Sequence, residues 1–210
     1  MTVIIRNLGL EQYQKVWHQM LDFTNKRTNE TKDEIWLVEH YPIFTQGKSG
    51  TKDNLFYLGD IPLIQSDRGG QITYHGPGQL IVYLLLDLTR LKIGVKKLVS
   101  LIEKSIIETL AIFNIYANTL AKKPGVYVNQ DKIASLGLKI KHGFSLHGLS
   151  LNVAMDLTPF CQIRPCGLNN IGVTQMKNFV KNITINQVAQ KLIPILTNNL
   201  NQNVPKNLHK

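Results

Sequence analysis

The stretch Asp131–Gly167, DKIASLGLKIKHGFSLHGLSLNVAMDLTPFCQIRPCG, opens with a run in which two faces alternate. Such alternation predicts a β-strand, because successive side chains of a strand point to opposite faces. Lys132 falls on the apolar face, together with Ala134, Leu136, Leu138 and Ile140. A lysine in this position either extends along the surface to the strand end or has a chemical role.

A second alternating run, Ser145–Met155, predicts the next strand and places His147 on one face with Leu149, Leu151, Val153 and Met155. A histidine among apolar side chains is either a hydrogen-bonded core residue or a site residue, and the pattern alone leaves both open.

The end of the same stretch, Ile163-Arg164-Pro165-Cys166-Gly167, predicts a loop that carries a cysteine between proline and glycine. A reactive thiol must be reachable, so Cys166 is a better candidate nucleophile than Cys161. A free thiol has a pKa of ~8.5, and a lysine ammonium ~4 Å away at an effective dielectric of ~20 favours the thiolate by about 4 kcal/mol before desolvation. Lys132 and Cys166 could therefore form a nucleophile that attacks acyl groups.

Upstream, the segment RGGQITYHGPGQ (68–79) contains four glycines in a short span. Glycine permits positive φ and a close approach of backbone N–H groups to a ligand. The segment is either a ligand-lining loop or a glycine-rich hairpin with His75 beside its turn. It is not a phosphate-binding loop, because no Gly-Lys-Ser/Thr follows.

Periodicity predicts an α+β fold for the remaining chain. A run buried on both faces predicts a central strand at Leu80–Leu86, and apolar residues at helical spacing predict a core-facing helix containing Val95, Leu98, Val99, Ile102, Ile106, Leu110 and Phe113. Further predictions are strands at Val3–Arg6, Ile35–Glu39 and Ile61–Gln65, a helix from Leu10 to Asn25, and an exposed loop at Lys48–Asn54. A final helix begins at a capping box, Thr184–Gln187, and is strained or ended near Pro194.

The 210 residues, 43% of them hydrophobic, are enough for one buried core, so we predict one domain over residues 1–197 and a polar, disordered tail over 198–210. No apolar run reaches the ~20 residues that cross a bilayer, and the N-terminus has no signal-peptide pattern, which predicts a cytoplasmic protein without membrane association. Two cysteines five positions apart favour reduced thiols, and no Cys/His spacing predicts a metal site.

The formal net charge of +10 calls for an acidic partner, unless it only reflects a lysine-rich proteome. The lysines are scattered and no basic helix is interleaved with aromatic residues, so nucleic acid is not the expected partner.

The motifs GVYV with KIASLGLKI, HGLSLNVAMDL, IRPCG, EHYPIFTQG and RGGQITYHGPGQLIVYLLLDL together resemble the lipoyl(octanoyl) transferases. They span Glu39–Gly167 in the family's order, and the separation of 34 positions from Lys132 to Cys166 agrees with the family's spacing of its lysine and cysteine. A match of this length is more specific than any single short motif.

The resemblance implies the biotin and lipoate ligase catalytic fold and an acyltransferase that uses no cofactor and no metal. Cys166 would carry the octanoyl group as a thioester, and Lys132 would lower the pKa of the thiol and transfer protons. The implied partners are octanoyl-acyl carrier protein and the lipoyl domains of 2-oxoacid dehydrogenases and glycine cleavage H protein, which are typically acidic. The implied substrate-binding residues are Arg68, Gly69, Gly70, Gln71, Ile72, Thr73, Tyr74, His75, Ser135, Leu136, Gly137, His147, Gly148, Leu149 and Ser150.

Two other functions remain open at this point. An ATP-dependent lipoate or biotin ligase on the same fold would activate its acid as an adenylate and would not need Cys166. A basic, non-enzymatic binding module would need neither Cys166 nor Lys132.

Overall fold

A computed structural model of the chain describes residues 3–50, 59–163 and 172–202. The strands are β1 (Val3–Glu11), β2 (Asp33–His40), β3 (Ile43–Gln46), β4 (Leu63–Gln65), β5 (Ile72–His75), β6 (Gln79–Leu85), β7 (Asn118–Leu120), β8 (Lys123–Val128), β9 (Asp131–Lys141) and β10 (Phe144–Asn152). The α-helices are α1 (Tyr13–Asn25), α2 (Leu88–Leu91), α3 (Val95–Ile112) and α4 (Ile185–Asn201), and short 3₁₀ helices cover Thr158–Gln162 and Met176–Asn178.

Seven strands form one sheet in the order β1-β2-β6-β10-β9-β8-β7, and three form a second sheet in the order β4-β3-β5. In the larger sheet β1 and β2 are parallel, while the other neighbours are antiparallel. This arrangement agrees with the predicted α+β fold class.

The larger sheet is covered on both faces. Alternate residues of β6, including Val82 and Leu84, pack with apolar residues of α3 and α4 in the largest core cluster. The other face of β6, including Ile81 and Tyr83, packs against α1. Burial on both faces explains why the run in β6 is continuously apolar.

Strands β9 and β10 form a hairpin whose two-residue turn consists of His142 and Gly143. Both have positive φ, 50° and 83°, which is the backbone geometry of a type I′ turn. The register pairs Gly137 with Gly148 in the middle of the hairpin. At this pair the sheet carries no side chains on either face, and the pair itself belongs to the predicted binding site.

Strand β1 is longer than predicted, and the helix that follows starts later. Leu10, predicted as helical, lies in β1 and pairs with Glu39 after an irregularity between Asn7 and Leu10. Gly9 has a φ of +69° there. The irregularity interrupts the alternating pattern of the strand. The predicted helix therefore started too early in the chain, at Leu10.

Two residues of the predicted core-facing helix do not reach the core. Leu98, Ile102, Ile106 and Leu110 are buried as predicted, whereas Val95 is 42% exposed and Val99 is half-buried. Leu98, Leu101 and Ile102 lie on the same first two turns of α3 and are buried, so Val95 and Val99 belong to a different side of the helix that the core does not cover.

The last helix begins at Thr184 with the predicted capping box but does not end at Pro194. It continues to Asn201 and so includes the first four residues of the predicted tail, whereas residues 203–210 lie outside the described part of the chain. Leu200 is 1% exposed, and the Asn199 amide donates to Ser105 Oγ at 3.0 Å. Packing against α3 outweighs the backbone hydrogen bond that proline cannot donate.

Within the described ranges, no helix has the length and apolar character required to cross a membrane.

Candidate active site

A pocket, here called the inner pocket, opens between the two sheets and has an empty volume of about 500 Å³ including its mouth. Thirteen of the fifteen predicted substrate-binding residues line it: Arg68, Gly70, Gln71, Ile72, Thr73, His75, Ser135, Leu136, Gly137, His147, Gly148, Leu149 and Ser150. Tyr13, Ile81 and Tyr83 complete the lining. Apolar and small side chains predominate, so the space suits an aliphatic chain.

The other two predicted residues lie elsewhere. Tyr74 is 3% exposed and packs its ring between Phe44 and Phe160, with centroids 5.5 and 5.6 Å away, because alternation along β5 directs it away from the pocket. Gly69 donates its N–H to Leu138 O at 2.9 Å and lines a neighbouring cavity.

That neighbouring cavity, here called the Lys132 groove, has an empty volume of about 950 Å³ including its mouth. It is lined by Ser49, Gly69, Gly70, Gln71, Val95, Val99, Lys122, Lys123, Pro124, Lys132, Leu136, Gly137 and Leu138. Four residues, Gly70, Gln71, Leu136 and Gly137, line both the groove and the inner pocket. The two cavities therefore adjoin along the part of β9 that lies beyond its pairing with β8, which ends at Ala134.

Lys132 is only 4% exposed although it carries an ammonium group. Its Nζ donates to Pro124 O at 3.3 Å and lies 5.3 Å from the centre of the Tyr127 ring. Its backbone N–H donates to Gly172 O at 2.8 Å, and its carbonyl accepts from Thr174 N at 3.0 Å. Lys132 thus does not extend into solvent from the strand end, and the chain that follows residue 171 is joined to it.

Cys166, the predicted nucleophile, lies outside the described residues. Cys161 is described, and its side chain is exposed. The pairing of Lys132 with Cys166 stays a prediction.

Gly125 leaves the space that the Lys132 side chain occupies. The alternating pattern of the sequence does not predict this role. Its φ is +135°, and a Cβ at this position would lie 2.8 Å from Ala134 O and 3.1 Å from Lys132 Cε. Only glycine fits without moving the lysine or the backbone of β9. Gly125 is the glycine of the GVYV motif, so the family resemblance is the only sequence feature that draws attention to it.

Gly125→Ala is expected to lower kcat/KM for acyl transfer by about tenfold or more, because the new methyl group displaces Lys132. Steady-state kinetics with a matched Gly94→Ala control measure this, since a Cβ at Gly94 would have no neighbour within 4 Å. Equal kcat/KM values in the two variants would contradict the assignment.

Arg68 fastens the glycine-rich loop to the small sheet. Its Nε donates to Thr45 Oγ1 at 3.1 Å, Nη1 donates to Gly69 O at 2.9 Å, and Nη2 donates to Gln71 O at 2.7 Å. The guanidinium uses its fixed fork of donors to hold backbone carbonyls in place. Arg68 therefore sets the shape of the wall shared by both cavities.

His147 is held at the inner pocket by Asp67. Its φ is 60°, its Nε2–H donates to Asp67 Oδ1 at 2.7 Å, and its ring centre lies 6.1 Å from that of Tyr83, on the face of the large sheet that packs against α1. Burial lowers the pKa of His147, although the Asp67 carboxylate opposes this. Burial would raise the pKa of Asp67, but hydrogen bonds from His147 and Lys139 hold it well below its usual range. The imidazole is therefore neutral at pH 7.

Two further histidines, His40 and the pocket-lining His75, form a buried, neutral pair. His40 Nδ1–H donates to Glu11 O at 2.9 Å and its Nε2 accepts from the Tyr83 hydroxyl at 2.7 Å. His75 Nδ1–H donates to Gln79 Oε1 at 2.7 Å. Burial lowers the pKa of His40 to about 4, and burial with the nearby His40 lowers that of His75 to about 3.

Because of these two histidines, the free energy of unfolding is expected to fall in mild acid. Their folded pKa values lie below the unfolded value of ~6.5, so the unfolded state binds more protons below pH ~6.5, and each residue costs about 1.4 kcal/mol of unfolding free energy per pH unit down to about pH 4. Urea unfolding between pH 7.5 and 4.5 measures the slope. His40→Gln should reduce it by about one histidine's share, whereas the exposed His18→Gln should not. Equal slopes in both variants would contradict this account.

No group of three His, Cys, Asp or Glu side chains that could hold a metal ion occurs within residues 3–50, 59–163 and 172–202.

The fold is similar to the catalytic fold of lipoate-protein ligases and of a biotin protein ligase. A lipoate-protein ligase A bound with ATP aligns with a TM-score of 0.79 at 16% identity, over 96% of this chain and 86% of that one. The biotin protein ligase of Aquifex aeolicus aligns with a TM-score of 0.59 at 13% identity, over 98% and 72% of the two chains. At these identities the likeness concerns the fold alone.

Residues 12–197 match the lipoyl protein ligase A/B catalytic domain. An octanoyltransferase of Hahella chejuensis is 54% identical over 188 residues, which cover 90% of this chain and 84% of that protein. The chain therefore belongs to the lipoyl protein ligase A/B catalytic domain family and, within it, to the octanoyltransferases. This confirms the fold and the family that the sequence motifs indicated.

Proposed function

We propose that this octanoyltransferase moves the octanoyl group from acyl carrier protein to a lysine of lipoyl domains through a thioester on Cys166. The observation that carries the proposal is the 54% identity to a named octanoyltransferase over 90% of the chain. The acceptors would be the lipoyl domains of 2-oxoacid dehydrogenases and glycine cleavage H protein. The site of action would be the cytoplasm, where a nucleophilic thiol stays reduced.

The inner pocket would hold the octanoyl tail. Burying about six methylenes at ~0.8 kcal/mol each provides roughly 5 kcal/mol, which is enough to anchor the acyl group. Ile81, Tyr83 and Leu149 supply apolar surface for it. The thioester carbonyl would then lie where the pocket meets the Lys132 groove.

In the first half-reaction, the Cys166 thiolate attacks the thioester carbonyl of the donor. A new carbon–sulfur bond forms to Cys166, the bond to the carrier's sulfur breaks, and the carrier thiolate leaves and takes up a proton. Lys132, which lines the groove beside the inner pocket, would stabilise the attacking thiolate. The step exchanges one thioester for another and is nearly isoenergetic.

A backbone N–H group at the junction would stabilise the oxyanion that develops on the acyl carbonyl. Residues of an antiparallel strand alternate between bonding one neighbour and the other. Because Leu138 O accepts from Gly69, the backbone N–H of Leu136, two residues away, faces the same edge, whereas the N–H of Gly137 faces β10. The Leu136 N–H is therefore the best-placed donor among the backbone groups that the resemblance implies.

In the second half-reaction, the ε-amine of the acceptor lysine attacks the thioester on Cys166. An amide forms, the Cys166 thiolate leaves, and the neutral form of Lys132 would accept the proton released by the amine. A thioester is more reactive than an amide, so this step drives the cycle without ATP.

The ATP-dependent ligase is the second candidate, because the similar solved structures include a ligase bound with ATP. That likeness rests on 16% identity, whereas the transferase rests on 54%. A basic binding module without activity has no support from these relatives.

Incubation with octanoyl-acyl carrier protein and an unmodified lipoyl domain, without ATP, tests the function. The expected result is a mass gain of one octanoyl group on the lipoyl domain. Modification only with free octanoate and ATP would instead favour the ligase.

A further inference from the structure

We propose that the Lys132 groove binds the phosphopantetheine arm of the acyl donor, with Lys122 and Lys123 contacting its phosphate. This inference rests on the proposed function but concerns a part of the cavity that the acyl tail does not occupy. The bound arm would cover the residues that line the groove, including the exposed Val95 at the start of α3.

The direction of the arm follows from the shape of a thioester. The acyl tail and the sulfur-bearing arm leave the carbonyl carbon on opposite sides. With the tail in the inner pocket, the arm must leave through a space that adjoins it, and the Lys132 groove shares Gly70, Gln71, Leu136 and Gly137 with that pocket.

The lining of the groove matches the chemistry of the arm. Val95, Val99 and Leu138 form an apolar wall, and Val95 is 42% exposed although it belongs to an amphipathic helix. A pantetheine arm carries a gem-dimethyl group and two amides before its phosphate. The methyl groups fit the valines, and the amides can bond to the polar groups of the glycine-rich loop.

The cations of the groove are held at its rim by a tight hairpin. Lys122 has a φ of 61° and precedes Lys123, which pairs with Leu120 across the turn between β7 and β8. Among the described residues, no carboxylate forms a salt bridge with either lysine. Two adjacent positive charges without a carboxylate partner suit a phosphodiester.

Binding of two stable analogues tests the proposal independently of turnover. Each analogue is an octanoyl ketone in which a methylene replaces the thioester sulfur, and one carries pantetheine while the other carries phosphopantetheine. Calorimetric titration should give a Kd about fivefold lower for the phosphorylated analogue, as two exposed charge contacts provide. This ratio should shrink as salt is raised.

The double variant Lys122→Ala/Lys123→Ala should abolish this ratio and leave the Kd of the unphosphorylated analogue unchanged. The matched control Lys26→Ala/Lys32→Ala removes two exposed lysines near α1, on the opposite face of the large sheet, and should preserve the ratio. Equal affinity of both analogues for the wild type would overturn the proposal. An equal loss for both analogues in the double variant would also overturn it.

These outcomes are separate from those of the proposed function. If the analogue ratio is as expected but no acyl group reaches Cys166, the groove assignment stands and the thioester mechanism fails. If acylation occurs and the ratio is absent, only the groove assignment fails.

Discussion

Lys132→Met is expected to lower kcat/KM for octanoyl transfer by about 10²–10³-fold and to leave the fold intact. Methionine matches the length of lysine and suits a position that is 4% exposed, but it carries no charge and no exchangeable proton. Part of the loss should be recovered as the pH rises, because a larger fraction of an unassisted thiol then ionises. Kinetics from pH 6 to 9, together with urea unfolding, measure both effects.

The matched control is Lys141→Met, the same substitution on the same strand at a side chain that bonds to Asn25. It should retain the wild-type rate. A Lys132→Met enzyme with wild-type kcat/KM at pH 7 would contradict the role proposed for Lys132.

Gly148→Ala is expected to lower the free energy of unfolding by about 3 kcal/mol or more. A Cβ at this position would lie 2.0 Å from Val82 O, and that carbonyl belongs to β6, which is paired on both sides by β2 and β10. Neither strand can retreat without disrupting the sheet between the two core clusters. Urea unfolding by far-UV circular dichroism measures the loss.

Gly94→Ala again serves as the control. Gly94 is the N-cap of α3, where glycine is preferred to alanine, so a loss of no more than about 1 kcal/mol is expected. If Gly148→Ala unfolds at the wild-type urea concentration, β10 must be able to move away from β6, and the close approach between these two strands cannot be essential to the fold.

The parts of the fold with strong periodicity could be predicted from the sequence. The faces of β6 and the buried stripe of α3 follow from burial, which repeats every two or every three to four residues. Short or interrupted elements could not be predicted in this way. β3 has four residues after a proline, and the irregularity at Gly9 hides the end of β1.

Most residues of the candidate site were predicted from the family motifs, and fewer from the periodicity of apolar residues. Alternation placed Lys132 on an apolar face, but it could not show that Gly125 leaves room beside the lysine. It also assigned His147 to the face of Leu149, whereas a φ of 60° turns the ring toward Asp67. Contacts between residues 80 positions apart in the chain have no local signal.

Val95 and Val99 show the same limit from the other direction. Their spacing along the helix is that of core residues. Only the folded structure shows that they line the Lys132 groove. An apolar residue in a helix pattern predicts burial against something, which is here a cavity wall.

The most direct test of the account is the intact mass of the protein after mixing with octanoyl-acyl carrier protein and no acceptor, for wild type, Cys166→Ser and Cys161→Ser. A hydroxylamine-labile gain of one octanoyl group is predicted for wild type and Cys161→Ser and is predicted to be absent from Cys166→Ser. An unmodified wild-type protein, with a donor shown to be intact, or a labile adduct that persists in Cys166→Ser, would contradict the thioester mechanism.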